Sequence, residues 1–259
     1  MIKTFMAVAA ALAMLTLAVA ARADIYLEEE QRVSGVIGVP PQVTMIKSWY
    51  KGKKLKQSIE GMDQVWIVDY GTQQLMALQP RSGTYWIAPL EGYRAVLQTA
   101  LQFWGIQRKP DGAVYVPADL FKPTGQKRKI GGWNAYEVKL PVPAGTKGKM
   151  SMWISSEAGV TTNDMVTTLR VALMAGEGDE LKAFFDRLMT LDGYPVLTTA
   201  ETDMNGQRLV ITKELKKARR LSISDDEFTV PKGFRKIEAP RFGAGAAGAP
   251  TGGGGAGGK

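Results

Sequence analysis

Over most of the chain apolar and polar residues alternate with a period of two, the pattern of strands that bury one face. Leu55, Gln57 and Ile59 alternate with Lys54, Lys56 and Ser58, and Lys51-Gly52 turns the chain into this segment from a β-rich run at 43–50. Ile25, Leu27 and Val33 mark an earlier extended segment. Further strands read from 65–70, 74–78, 84–87, 127–130, 135–140 and 149–155, with Gly-containing turns between several of them. Strands recurring every eight to twelve residues or so predict an antiparallel meander. Residues 196–204 and 207–215 flank Asn205-Gly206, which favours the positive φ angles of a type I′ hairpin turn. Three stretches switch to helical spacing. Tyr93, Val96, Leu97, Ala100, Leu101 and Trp104 form one apolar stripe, stopped by Gly105. Asn163 is placed to cap a helix over 164–174, and Asp179 to cap another carrying Leu181, Phe184, Phe185, Leu188 and Met189. The expected fold class is α+β, one sheet covered by about three helices.

The two ends follow different rules. Lys3 precedes an apolar run from Phe5 to Ala20, and Ala21-Arg22-Ala23 offers a small-x-small cleavage pattern before Asp24. This reads as a secretory signal peptide; the apolar run is short for a bilayer span. The chain is expected to be exported, to the periplasm of a Gram-negative bacterium, with no transmembrane span after cleavage. No Cys follows the apolar core, so a lipoprotein is not expected. Glycine dominates from Gly243 onward, a composition that cannot bury a core. The expected organisation is a signal peptide over 1–23, a single domain over 24–242 and a disordered Gly/Ala-rich tail over 243–259.

Composition narrows the chemistry. The chain has neither Cys nor His. Folding must then proceed without disulfides, and Ser-His-Asp catalysis, Cys-His catalysis and zinc sites built on imidazole or thiolate are excluded. An enzyme would need carboxylates, Lys, Tyr or Ser alone, for instance a facing carboxylate pair that sequence does not reveal, so a non-enzyme is expected, without cofactor or metal. The net charge of +8 suits solubility and nearness to anionic surfaces alike. Glu28-Glu29-Glu30 and Asp225-Asp226-Glu227 lack the ligand spacing of a calcium loop and read as solvated faces. Lys213, Lys216, Lys217, Arg219 and Arg220 read as guards of an exposed edge strand, or as a docking surface for an acidic partner. Of the six tryptophans, Trp49, Trp66, Trp86, Trp133 and Trp153 lie in or beside strand segments. They are either core or, with methionines such as Met45, Met76 and Met152, the lining of an apolar ligand cavity.

Two groups of motifs resemble a known family. Lys122-Pro-Thr-Gly125, Lys129-Ile-Gly-Gly-Trp133, Tyr136-Glu-Val138, Met152-Trp-Ile154 and the closing Phe228-Thr-Val-Pro-Lys-Gly-Phe234 resemble the domain-of-unknown-function family 4412. Trp49-Tyr-Lys-Gly52 and Val65-Trp-Ile-Val-Asp-Tyr70 are similar to the rhythm of the LolA/LolB-like lipoprotein-carrier superfamily. Asn134-Ala135 stands where family members often carry Cys, so no redox role transfers to this chain. The resemblance implies a strongly curved antiparallel sheet, an open half-barrel, with helices over its concave face. It also implies a carrier that holds acyl chains in that concavity. The expectation is a soluble periplasmic binding protein for an apolar ligand, a lipid or acyl chain, on Trp49, Trp66, Trp86, Leu97, Leu101, Phe184, Phe185 and Leu188. The alternative is an envelope protein-interaction or stress-sensing module whose concave face is fully packed. Nucleic acid is not an expected partner; contact with a membrane surface is compatible with either reading.

Overall fold

A computed structural model describes residues 24–93, 106–108, 114–117, 119–142, 147–172, 181–204 and 207–240. The expected signal peptide, the helix after Tyr93, Leu97, Leu101, the Asn205-Gly206 turn and the glycine tail lie outside the described residues. The strands are β1 (Asp24–Ser34), β2 (Gln42–Lys51), β3 (Lys54–Ile59), β4 (Val65–Asp69), β5 (Gln74–Gln79) and β6 (Thr84–Pro89), then a 3-10 turn (Leu90–Tyr93). A two-residue pair follows, β7 (Gln107–Arg108) with β8 (Val114–Tyr115). The chain continues with β9 (Lys122–Ile130), β10 (Trp133–Leu140), β11 (Lys147–Ser155), α1 (Thr162–Ala172), α2 (Lys182–Leu188), β12 (Tyr194–Met204) and β13 (Gln207–Leu221). A 3-10 turn (Asp225–Phe228) and β14 (Arg235–Lys236) complete it.

Twelve strands form one sheet in the order β14-β6-β5-β4-β3-β2-β1-β13-β12-β11-β10-β9. Every neighbouring pair is antiparallel except β14 with β6, so the sheet is mixed. This corrects the expected α+β half-barrel with about three helices over a concave face: the structure is a mainly β open sheet. Among the described residues only two α-helices occur, α1 and α2, and their buried residues join the cluster of the β9–β13 half. The reason lies in the strands. Their period-two patterns run through most of the described chain, and β1, β12 and β13 are 11, 11 and 15 residues long. With so much chain in the ladder, few residues remain to build covering helices.

Cross-strand register assigns side chains to two faces, since successive residues alternate. The helix face of the β9–β13 half holds Val138, Met152, Ile154, Val196 and Leu215. These pack with Met165 and Val166 of α1 and with Phe184, Phe185 and Leu188 of α2. The β3–β6 half is apolar on both faces. Leu55, Val68, Leu75, Ala77, Trp86 and Ala88 form one cluster. Ile67 and Leu78 point the other way and are covered by Ile223 and Phe228 from the segment after β13. That segment then pairs through β14 with the β6 edge and brings Ile237 and Ala239 to the helix-face cluster. The C-terminal strap thus spans both faces of the sheet and covers one of its edges.

Two local expectations change. The cap of α1 is Thr161, not Asn163. Asp164 N–H donates to the Thr161 hydroxyl at 3.3 Å, while the Asp164 carboxylate accepts from Thr161 N–H at 2.6 Å and from its hydroxyl at 2.8 Å. This is a reciprocal capping box, and Arg220 of β13 joins it by pairing with Asp164. The basic residues of 213–220 do not guard an edge, because β13 lies between β1 and β12. The exposed edge is β9, where Lys122, Lys127, Arg128 and Lys129 discourage pairing with another chain.

Candidate functional site

A single transverse row on the helix face runs Leu27–Ser48–Gln57–Trp66–Ala77–Trp86 across β1 to β6. Its composition changes along its length. Leu27 is fully buried in the core of the β9–β13 half. Ser48 is also fully buried, and its hydroxyl accepts from Gln57 Nε2 at 3.3 Å. Beyond them Trp66 and Trp86 flank the small Ala77, and their rings meet edge-on with centroids 5.6 Å apart. A larger residue at 77 would keep the two rings from meeting. Edge-to-face packing suits the ring quadrupoles, and it builds a broad apolar wall from two residues on different strands.

Beside this row lies a polar seam. Glu29 is 7% exposed and pairs with Lys213 Nζ at 2.8 Å. Tyr50 packs against both the β9–β13 core and the β3–β6 cluster, bridging them. Burial first, and then the Glu29 charge, push the Tyr50 hydroxyl well above the ordinary phenol range, with a Ser48 hydrogen bond opposing them. The phenol therefore stays a neutral donor or acceptor at physiological pH. Taken together, the helix face carries an aromatic cluster, in which Ala77 and Trp86 are buried and Trp66 is half-buried, next to a charged and hydroxylated strip.

The residues singled out from sequence are divided by the structure. Trp66 and Trp86 come together on the helix face. Phe184, Phe185 and Leu188 sit in the neighbouring core, 0%, 2% and 0% exposed, and the ring of Phe121 lies 5.9 Å from that of Phe184. Trp49 points to the opposite face, where the tilted Tyr26 ring lies 5.2 Å away and Lys56 Nζ lies 5.0 Å from its ring. Leu97 and Leu101 lie outside the described residues. Ser48, Gln57, Glu29 and Tyr50 were missed by the sequence reading. The signal available was the interruption of apolar spacing on β1 and β2 by polar residues at inward positions.

The acidic clusters prove to be partners of lysines and arginines. Glu28 pairs with Lys217 at 3.0 Å and accepts from the Tyr26 hydroxyl at 2.8 Å. Those two hydrogen bonds hold its carboxyl below the usual carboxylate range. Burial and the same Glu28 bond push the Tyr26 phenol up to about 12. Glu30 pairs with Arg32, Asp225 with Lys51 and Glu227 with Lys56. Among the described residues no group of three or more Asp, Glu, His or Cys could hold a metal ion, and no helix is long and apolar enough to cross a membrane.

No protein-family profile matches the chain. No curated protein matches it either. Among solved structures it is similar to an uncharacterized conserved protein from Thermus thermophilus, at 7% identity and TM-score 0.43, over 84% of this chain and 91% of that one. It is similar to a LolA superfamily protein from Nitrosomonas europaea, at 11% identity and TM-score 0.34, over 80% and 90% of the two chains. MucB in complex with MucA(peri) is a further likeness, at 10% identity and TM-score 0.38, over 85% of this chain and 58% of MucB. All three TM-scores lie below 0.5, and the functional reading rests on the chain's own residues.

Proposed function

We propose that this chain is a non-catalytic binding protein of the bacterial cell envelope that holds an apolar ligand, a lipid or acyl chain, against the helix face of its sheet. The observation that carries the reading is the Trp66–Ala77–Trp86 wall, continuous with the Ser48–Gln57 and Glu29–Lys213 strip. An acyl chain laid on Trp66, the half-buried ring of that wall, would gain about 0.8 kcal/mol per methylene removed from water. Its polar end would fall at the strip, where Lys213 supplies a cation and Gln57 an amide. Leu97 and Leu101, expected from sequence to take part, lie outside the described residues. Phe184, Phe185 and Leu188 would serve as the packed floor of the adjacent core and not as ligand contacts.

Native mass spectrometry of the chain purified from a Gram-negative periplasm, followed by organic extraction, tests this. A stoichiometric apolar adduct is expected, and Trp66→Ala should lower its occupancy about tenfold while circular dichroism stays unchanged. A clean unliganded mass, with no uptake of added fatty acid or lysolipid, would sink the proposal in favour of a protein-interaction role.

A further inference from the structure

Of the eight large apolar residues that the described surface exposes, five lie at one end of the sheet: Val36, Ile37, Val39, Val43 and Met62. Ile37 is the most exposed, at 75%. All five belong to the β1–β2 connection, the first two residues of β2 or the β3–β4 connection. These two connections are tied together, since Glu60 N–H donates to the Met45 carbonyl at 2.8 Å. The β1–β2 tip is also shaped as a rigid unit. Val39 N–H closes a turn on the Val36 carbonyl at 3.2 Å, and Pro40-Pro41 stiffens the return. At its root Gly35 has φ +94°, and a Cβ there would stand 1.9 Å from the Arg208 carbonyl oxygen. The tip is therefore locked to the start of β13, with Ile37 held out into water.

Charge surrounds this apolar tip. Arg32 at the end of β1, Arg208 at the start of β13, Lys147 and Lys149 at the start of β11 and Lys139 at the end of β10 share its end of the sheet. The acids there are Glu60, Asp63, Glu201 and Asp203. Glu201 is engaged by both Arg208 and Lys149, and Asp63 accepts from Arg81 N–H. Arg32 is likewise held by Glu30, which leaves Lys139 and Lys147 as exposed cations beside a narrow apolar point. A stable protein interface needs roughly 20–30 residues a side, many more than two loop tips provide. Insertion into a lipid headgroup layer needs only a few apolar side chains plus basic residues at the phosphate level.

We propose that this end of the sheet docks on an anionic bilayer. Ile37, Val36 and Val39 enter the boundary between headgroups and acyl chains, and Lys139 and Lys147 meet the lipid phosphates. The docking surface is separate from the Trp66–Trp86 wall, so the two readings stand or fall independently.

The test is sedimentation of the full chain, as purified after export, with vesicles of phosphatidylcholine alone or mixed with phosphatidylglycerol. The parent chain should sediment with the mixed vesicles, less so with added salt and less with phosphatidylcholine alone. Ile37→Ser should lower the vesicle partition coefficient about tenfold, and Lys147→Glu should weaken it further at low salt. Trp66→Ala should leave it unchanged, which separates docking from ligand uptake. In an Ile37→Trp variant, emission in excess of the parent's should shift to the blue on adding mixed vesicles. If the parent does not sediment with mixed vesicles, or Ile37→Ser sediments as the parent does, the proposal is overturned. Both positions are exposed, so neither replacement disturbs the core.

Discussion

At the scale of single residues, Glu28 shows how an acidic run becomes structure. It lies on the sheet face opposite the helices, between Lys217 of β13 and Lys47 of β2, and takes hydrogen bonds from Lys217 and Tyr26. Because its folded carboxyl titrates below its ordinary value, its contribution is complete above the usual carboxylate range. It is lost as pH falls through the depressed value. The parent should therefore melt above Glu28→Gln at neutral pH, by an amount worth about 1 kcal/mol or less for so exposed a pair, and the gap should close in strong acid. Thermal unfolding followed at several pH values checks this. Equal gaps at pH 7 and pH 3 would remove Glu28 from the account. Sequence showed that Glu28-Glu29-Glu30 was charged, but not that alternate members serve opposite faces. Glu29 turns inward to Lys213, while Glu28 and Glu30 stay outside. The period of two contains that alternation, but which face is inward depends on what the sheet packs against.

At the scale of elements, caps and neighbours decide what a pattern becomes. The helix α1 was legible, and its start was displaced by two residues because the side chains of Thr161 and Asp164 satisfy each other's backbone N–H groups. Thr161→Ala should cost about 1 kcal/mol in urea denaturation. A change below a few tenths would mean that Arg220 alone holds Asp164 in place. The 207–215 strand was legible from its hairpin partner; its extension to Leu221 and its central position were not. β13 pairs with β1 over residues far apart in sequence, from Asp24 with Leu221 to Ser34 with Val210. No local signal distinguishes a central basic strand, whose lysines meet glutamates on the neighbouring strand, from an edge strand whose lysines meet water. β9, with its run of exposed cations, carries the signature that had been attributed to β13.

At the scale of the whole molecule, the last described segment does work that local pattern does not assign to it. Phe228 is 4% exposed and packs with Ile67, Leu78 and Ile223 on the face of β4 and β5 opposite α1 and α2. Phe228→Ala should destabilise the protein by about 3–5 kcal/mol. Urea unfolding reads the loss; a cost near zero would show that the strap merely rests on the sheet. Val65-Trp-Ile-Val is apolar at consecutive positions, the mark of a strand buried on both sides, and the strap is what buries the second. By itself the sequence determined most of the strands, their antiparallel connections, the presence of α1 and α2 and the exclusion of His- and Cys-based chemistry, because each depends on neighbours within a few residues or on composition. Only the tertiary structure decided the strand order, which strand is the edge, that Trp66 meets Trp86 over Ala77 while Trp49 faces away, and that Ile37 stands exposed among cations. Those outcomes depend on register between residues distant in the chain, and a one-residue shift in register would reverse every facing.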